Sequence, residues 1–569
     1  MTTSASASSG AHKLVLSGLK PDNNPEKPEN GLAGLKHWRQ DLMAGLVVAT
    51  ISTPFSIGIA IASGAPPITG LTSAIIAGFV LPFLGGSFVT ISGPAAGLAP
   101  VLYAAMMTLG GTLEAGYPLL LPVIFIAGVV QIILSKLKAA RFSAIFPAPV
   151  VEGMLTAIGL LIIVKQLPQL FGHPFKAHAF WGLFFEAPHG FLMANHTVFG
   201  LGLATLITIP VIAKLGDGKK WSQIFPPKIL AVILFTLVSL FLTLDPKFRL
   251  NIPDNPLHGI VFPHFAELFA QVTLWKAAIT LVIMLTLIDG IESLATINAV
   301  DKIDPFRRKS DPEQTLFAMG VSNICSSLIG GLTIIPGGVK STANIMAGGR
   351  TQWANFYNAA FLLVFLLFLR PVMNTIPLSI LSALLVFTGY KLCRPSVWKK
   401  MASVGWDQAL VFVTTVLLTL NIDLLWGILG GTALAVLSNY MLALSSPTNA
   451  KISFWGMFQN PVKHQDVEAG VVHLYFNKPL LCTNYMHLKK ALDNVSYQGI
   501  SGIQLHLDDG VTMVDHTTLD HLQHFMDGYK NDYDISVDII GLERMKKLSQ
   551  KSTATHLLDD SLIQMMEAG

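Results

Sequence analysis

Charge is scarce in this chain: of 569 residues only 13% are Asp, Glu, Lys or Arg, against roughly 25% in an average soluble domain. That shortage excludes an ordinary soluble globule and a charged disordered chain, and with 52% hydrophobic residues it leaves a membrane-embedded protein. Cysteine is nearly absent. Cys325, Cys393 and Cys482 are too few and too scattered for a disulfide framework or a zinc site, and they read as small apolar packing residues. No basic block concentrates the net charge of +4, so a nucleic-acid partner is not expected. No glycine-rich loop runs into Lys-Ser or Lys-Thr, which excludes a nucleotide-driven pump. The first 30 residues contain no apolar run as long as a secretory signal requires, and residues 1–40 read as a loose cytoplasmic tail.

Long apolar segments are abundant. Those able to cross about 30 Å of hydrocarbon lie near 43–62, 67–84, 94–108, 118–135, 147–165, 197–213 and 228–244, then 273–291, 313–330, 338–348, 354–369, 376–390, 407–420 and 423–442. The pattern predicts a polytopic α-helical membrane protein of seven plus seven spans over residues 41–445, a linker at 446–469 and a small soluble α/β domain at 470–569. With the N-terminus inside, the loops after spans four, six, eight and twelve carry the basic residues, among them Lys136, Lys219, Arg307, Arg308 and Lys391. That distribution satisfies the positive-inside rule. It places both termini in the cytoplasm of a bacterial inner membrane.

Spans three and ten are the short ones, and each follows a break: Ile91-Ser92-Gly93-Pro94 and Ile335-Pro336-Gly337-Gly338. Backbone that leaves a helix at membrane depth must be buried in protein or line a wet cavity. Two breaks at matching positions of two halves point to a midplane binding site in a transporter, built from half-helices in an inverted repeat. Helix N-termini offer unpaired N–H donors and about half a positive charge, so two facing ends suit an anion. Close packing or kinking by Gly and Pro is the plainer alternative for each break.

Span eight carries ionisable groups. Asp289, Glu292 and Thr296 are three and four residues apart and share a helical face. A carboxylate near the bilayer centre costs on the order of 2.5–3.5 kcal/mol and is retained for function. Glu292 is the coupling-ion candidate; Asp289 is divided between that role and helix-to-helix hydrogen bonding. Lys340 falls in the first turn after the second break, where the dipole disfavours a cation. Glu292, a transported anion or both should offset it.

Asp41-Leu42-Met43-Ala44-Gly45-Leu46-Val47-Val48-Ala49, Ala62-Ser63-Gly64-Ala65-Pro66-Pro67, Ile91-Ser92-Gly93-Pro94, Glu292-Ser293-Leu294 and Gly348-Gly349-Arg350-Thr351 together resemble the SulP family of anion transporters over nearly the whole chain. The resemblance implies a fourteen-span inverted repeat with core and gate domains, a cytoplasmic STAS domain, a homodimer, and elevator-type movement of an anion held between spans one, three, eight and ten. It places the anion against Phe55, Ser92, Gly93, Ala95, Ala96, Gly337, Gly338, Val339 and Lys340. Phe55 after Pro54, in place of the Pro-Gln of many sulfate-type members, is similar to the bicarbonate-type members. Ala95 replaces their hydroxyl residue, and Lys340 stands where most members have arginine, keeping charge without the planar fork. Glu292 and Thr296, with Gly338, match the sodium site of the bicarbonate transporters. Na+ or H+ is therefore the coupling ion, and no other cofactor is expected.

In the tail, Val471–Phe476, 503–507 and 535–540 have strand character, and 519–529, 542–550 and 555–566 read as helices. Val514-Asp515-His516-Thr517-Thr518-Leu519 resembles the loop-to-helix turn of STAS domains, with Asp515 or Thr518 as a helix cap. A cytoplasmic regulator could act there. His506, His516, His521 and His524 read as a solvated polar face. The expected function is secondary transport of an inorganic anion across a lipid membrane, bicarbonate first, without enzymatic activity. Sulfate or a C4-dicarboxylate, a nucleobase, and a membrane sensor acting through the STAS domain are the alternatives.

Overall fold

In the computed structural model of the chain, described residues are 27–140, 146–177, 179–216, 227–252, 260–301, 303–422, 424–445, 454–468, 470–493, 500–508, 510–533 and 535–559. The first half runs α1 (Trp38–Ala62), α2 (Pro67–Leu84), β1 (Ser92–Pro94), α3 (Ala99–Gly110), α4 (Leu113–Lys136), α5 (Ala148–Phe171), α6 (Phe180–Leu192), α7 (His196–Leu215) and α8 (Pro227–Leu240). The second runs α9 (Phe265–Ala270), α10 (Val272–Asp301), α11 (Pro312–Leu328), β2 (Ile334–Pro336), α12 (Gly338–Met346), α13 (Trp353–Phe368), α14 (Arg370–Met373), α15 (Leu378–Cys393), α16 (Pro395–Val404), α17 (Trp406–Asn421) and α18 (Leu424–Ser445). All fourteen apolar segments coincide with helices, and among the described residues seven helices have the length and composition to cross a membrane. Large apolar side chains such as Ile207, Leu237 and Phe368 point outward, as lipid-facing positions require.

Helix starts follow the sequence. Thr112 accepts from Ala115 N, Asn195 from Val198 N, and Asp311 from Glu313 N and Gln314 N, each satisfying donors that a helix N-terminus leaves unpaired. α3 begins at Ala99, one turn later than the expected start of span three. Pro100 suits the first turn of a helix, and residues 96–98 turn instead. α6 was not anticipated. Its aromatic face, with Trp181 and Phe185 exposed, suits a membrane interface, and Trp181 Nε1 donates to Asn421 Oδ1 at 3.1 Å.

The helices form two bundles. α1, α2, α4 and α13 pack with α3, α10, α11 and α12; α5 packs with α15 and α17, and α7, α8 and α18 complete the second. Small residues bring backbones together where lipid gives no hydrophobic drive. A Cβ on Gly128 would meet Gly320 O at 2.7 Å, and one on Gly320 would meet Gly128 O at 2.7 Å, locking α4 to α11. Gly159 and Gly389 make the same reciprocal contact between α5 and α15, at 2.5 and 2.7 Å.

Part of the segment read as a loose tail is ordered against the first bundle. Asn30 Nδ2 donates to Ser87 O at 2.7 Å, Asn30 Oδ1 accepts from Gln352 N at 3.1 Å, and Trp353 Nε1 donates to Gly31 O at 2.8 Å. Asp41 accepts from Arg350 N, Thr351 N and Thr351 Oγ1 at 2.7, 3.1 and 2.5 Å, joining two of the motifs that carry the family resemblance.

Beyond α18 the chain builds β3 (Val462–Glu468), β4 (Val471–Phe476), α19 (Tyr485–Asp493), β5 (Gly502–Leu507), β6 (Met513–Val514), α20 (His516–Tyr533), β7 (Ser536–Ile540), β8 (Met545–Lys547) and β9 (His556–Leu558). The sheet order is β3-β4-β5-β7, with β4, β5 and β7 parallel through helical crossovers, and β6-β9-β8 form a second small sheet. β3 lies inside the segment read as a linker; it is an exposed edge strand, so it lacks an apolar period. The helices expected at 542–550 and 555–566 are also corrected. Leu542, Met545 and Leu548 mimic a helical period, but Gly541 turns at φ +94, and β8 and β9 pair as a hairpin; residues 560–569 lie outside the described residues. His516 and His521 do not form a solvated face: His516 is 1% exposed, and His521 stacks on Tyr485 at 4.6 Å. Asp515 Oδ1 caps α20 by accepting from Thr518 N at 2.8 Å.

This α/β domain docks on the second bundle. Thr517 Oγ1 accepts from Ala148 N, the first residue of α5, at 3.0 Å; Asp515 Oδ2 accepts from Asn439 Nδ2 at 3.1 Å; Thr555 Oγ1 donates to Asp407 Oδ2 at 3.0 Å. Leu442 and Ala443 of α18 share an apolar cluster with Met457, Leu481 and Met513.

Two predictions follow from this packing. Gly159→Leu places side-chain carbon against the Gly389 carbonyl, an overpacking cost of roughly 1–3 kcal/mol, and a lowered melting temperature of purified protein checks it. Burial holds the His521, His506 and His556 imidazoles below their ordinary range, His506 with help from neighbouring His473. The unfolded chain then binds more protons than the folded one as pH falls through about 6.5 and below. Stability contributed by these neutral rings is full above that value and lost beneath it, so a melting series from pH 7.5 to 5.5 should show the α/β domain's transition falling.

Candidate anion site at the crossed strands

The two breaks meet. β1 and β2 pair antiparallel, Ser92 opposite Pro336, Gly93 opposite Ile335 and Pro94 opposite Ile334. Gly337 N donates to Ile91 O at 2.8 Å and Ile91 N donates to Ser341 Oγ at 3.0 Å. The extended backbone thus satisfies itself inside a buried core, and α12 leaves the crossing with its N-terminus there, capped by no side chain.

Lys340, in the first turn of α12, is 1% exposed. Its Nζ lies in the space a Cβ on Gly93 would occupy and has no hydrogen-bond partner among the described residues. Glu292 does not neutralise it. The Glu292 carboxylate rests on Gly97 instead: a Cβ there would lie 2.6 Å from Oε2 and 2.8 Å from Oε1, and Oε2 is likewise without a partner. A buried cation without a counter-ion is costly, and this one sits in the first turn of a helix whose N-terminus no side chain caps, an arrangement suited to an anion.

The other sequence candidates fall around this pair. Thr296 Cγ2 lies 3.9 Å from the Cβ position of Gly338, so Glu292, Thr296 and Gly338 share one side of the crossing. The Ser92 hydroxyl is buried and unpartnered, Ala96, Gly337 and Val339 are half-buried, and Phe55 and Ala95 share an apolar cluster with Ile335. Asp289 is apart from them. Its Oδ2 accepts from Gln131 Nε2 at 3.1 Å and Asn323 Nδ2 at 3.3 Å, while Asn323 Oδ1 accepts from Ile334 N at 2.6 Å. That network ties α4, α10 and α11 to β2, the helix-to-helix alternative for Asp289.

Sequence reasoning missed Gly97, Gln131 and Asn323. Polar Gln131 and Asn323 inside apolar spans were the available signal, and Gly97 carried none beyond its spacing from Gly93. Two lysines of the second bundle were missed as well. Lys165 Nζ on α5 donates to Pro100 O at 3.3 Å and lies 4.4 Å from the Tyr103 ring centroid; Lys228 on α8 lies 5.7 Å from that of Phe55.

Comparison with known proteins identifies the relatives of the chain. Residues 38–415 match the profile described as the Sulfate permease family. The bicarbonate transporter BicA of Picosynechococcus is 27% identical over 402 residues, covering 68% of this chain and 67% of the relative. The putative sulfate transporter YvdB of Bacillus subtilis is 24% identical over 408 residues, covering 70% and 73%. The solved transmembrane domain of a cyanobacterial BicA superposes with a TM-score of 0.59 at 26% identity, covering 69% of this chain and 97% of that one.

Gly93→Ala and Gly97→Ala test the two cradles. Each added methyl displaces the end of a flexible side chain, Lys340 or Glu292, without a backbone clash. Anion uptake by either variant in proteoliposomes should fall at least tenfold while the melting temperature stays near wild type.

Proposed function

The chain belongs to the sulfate permease family and is an anion transporter rather than an enzyme, and from that premise we propose that its substrate is bicarbonate, carried by secondary active transport. The observation that carries this reading is the buried Lys340 ammonium lying on Gly93 without a counter-ion. A small oxyanion between that ammonium and the uncapped N-terminus of α12 supplies the missing charge. Phe55 and Ala95, the apolar positions assigned to the site by the family resemblance, favour the compact, singly charged bicarbonate over a dicarboxylate. The bicarbonate transporters among the relatives support the same choice.

Glu292, Thr296 and Gly338 are the proposed coupling-ion residues. A carboxylate whose Oε2 has no donor among the described residues, on the helical face it shares with Thr296, offers oxygen ligands for Na+, and Glu292 alone could carry H+. Coupling follows from proximity: a cation at Glu292 offsets the anion's charge at the same crossing, so each ion raises the affinity of the other.

The proposed movement is of elevator type, the first bundle carrying the crossing past the second, with fourteen spans in an inverted repeat. Reciprocal contacts at β1–β2 and Gly159–Gly389, each between corresponding elements of the two halves, support a local two-fold relation. A homodimer in a bacterial inner membrane, termini inside, with the α/β domain as a STAS-type regulatory module, completes the reading. Sulfate is the second reading, favoured by the sulfate transporters among the relatives.

Uptake of labelled bicarbonate and labelled sulfate by proteoliposomes, with and without a sodium gradient, distinguishes these readings. Bicarbonate uptake driven by inward sodium is the expected result; sulfate uptake alone would replace the substrate, and uptake of neither would overturn transport. Lys340→Ala should raise KM at least tenfold by removing a desolvated charge, whereas an unchanged KM takes Lys340 out of the site. Glu292→Gln should abolish the sodium dependence, and retention of it assigns coupling elsewhere.

A further inference from the structure

A second group of cations lies against Phe55 at the seam between the bundles. Lys228 Nζ donates to Thr388 Oγ1 at 3.2 Å and lies 5.7 Å from the ring centroids of both Phe55 and Phe387. Phe55 belongs to the first bundle and packs with Ala95 and Ile335; Phe387 and Thr388 belong to α15 of the second. The Thr388 hydroxyl donates to Leu384 O at 2.9 Å, so it is an acceptor toward Lys228. An ammonium has three donors, and this contact uses one.

Lys391 adds a second charge to the same ring, its Nζ 5.1 Å from the Phe387 centroid. Neither lysine is ion-paired among the described residues. Two ammonium groups sharing one aromatic ring repel each other, Lys228 from a half-buried position and Lys391 from an exposed one. Lys391 also borders a cavity of about 420 Å³ with Arg394 and Lys400; its acid, Glu152, is occupied by Lys400 at 3.1 Å. Positive charge therefore runs from that cavity through Lys391 to Lys228 and ends at the ring of Phe55.

Direction follows from the packing. Ala148, at the start of α5, bonds to the α/β domain, and Gly159 of α5 packs on Gly389 of α15. The C-terminal end of α15 is therefore on the α/β-domain side of the membrane. Thr388 lies five residues before that end, about 7 Å along the helix.

We propose that Lys228, with Thr388 and Lys391, forms a second anion-binding station on the second bundle, through which the transported oxyanion passes between the crossing and the α/β-domain side. Anion and ammonium meet as a charge-assisted hydrogen bond, and Phe55 is the surface over which the anion is handed to Lys340. The station rests on the reading of the chain as an oxyanion transporter.

The test uses the full chain in proteoliposomes, with labelled bicarbonate and labelled sulfate as probes and KM measured separately from each face. Lys228→Gln should raise KM at least tenfold from the α/β-domain face and leave the opposite face within twofold. Lys228→Arg should restore it to within threefold, and Lys391→Gln should produce a smaller rise on the same face. Should Lys228→Gln fail to fold by gel filtration, the one-sided effect of Lys391→Gln decides. An equal rise on both faces, or no rise, overturns the station while leaving transport intact. A wild type that carries neither anion overturns the transport reading and the station together.

Discussion

Hydrocarbon offers no partner for a peptide group, and the rest of this structure depends on how the two helix breaks meet that constraint. Ser92–Pro94 and Ile334–Pro336 satisfy each other as antiparallel strands, with Gly337 N and Ile91 N bonded across the crossing. Neither segment could leave the helical state alone at that depth. Their pairing brings β1, β2 and the start of α12 to one point in the first bundle. It also explains Gly93, because only a residue without a side chain lets the Lys340 ammonium lie against the strand.

Uncompensated charge is the second organising feature. Lys340 and Glu292 are close to the same crossing, yet each is held on its own glycine, Gly93 or Gly97, rather than on the other. A direct ion pair would have satisfied both and left nothing for a ligand. Asp289 shows the contrast: Gln131 and Asn323 bind its carboxylate, and its network fixes β2 through Ile334 N. Asp289 is thus bonded to neighbouring helices through Oδ2, whereas Lys340 Nζ and Glu292 Oε2 have no hydrogen-bond partner among the described residues. The α/β domain, bonded through Asp515, Thr517 and Thr555 to helices of the second bundle, touches that scaffold at its far end.

The membrane part was legible because a long apolar run has few alternatives at that length. α2 was placed to the residue, and α11, α13 and α17 to within two; the starts of α3 and α4 were each displaced by five residues. Residues 454–559 were less legible. Parallel strands β4, β5 and β7 were recognised from β-branched and apolar runs, but β3 carries exposed polar residues throughout, and the β8–β9 hairpin has an apolar spacing that a helix also satisfies. In each case the deciding interaction was a hairpin partner, β4 for β3 and β9 for β8, which the apolar spacing within a single segment does not report.

By itself, the amino-acid sequence determined the membrane class, the helical segments, the two breaks and the chemical identity of Lys340, Glu292 and Thr296, since these follow from local composition and periodicity. Tertiary structure decided which groups meet. It separated Lys340 from Glu292, placed Thr296 beside Gly338, assigned Asp289 to Gln131 and Asn323, and brought Lys228 to the ring of Phe55, 173 positions away in the chain (228 − 55). Burial and hydrogen bonding between distant segments are properties of the packed backbone, and a glycine's value as a cradle exists only when another segment's side chain fills the space it leaves.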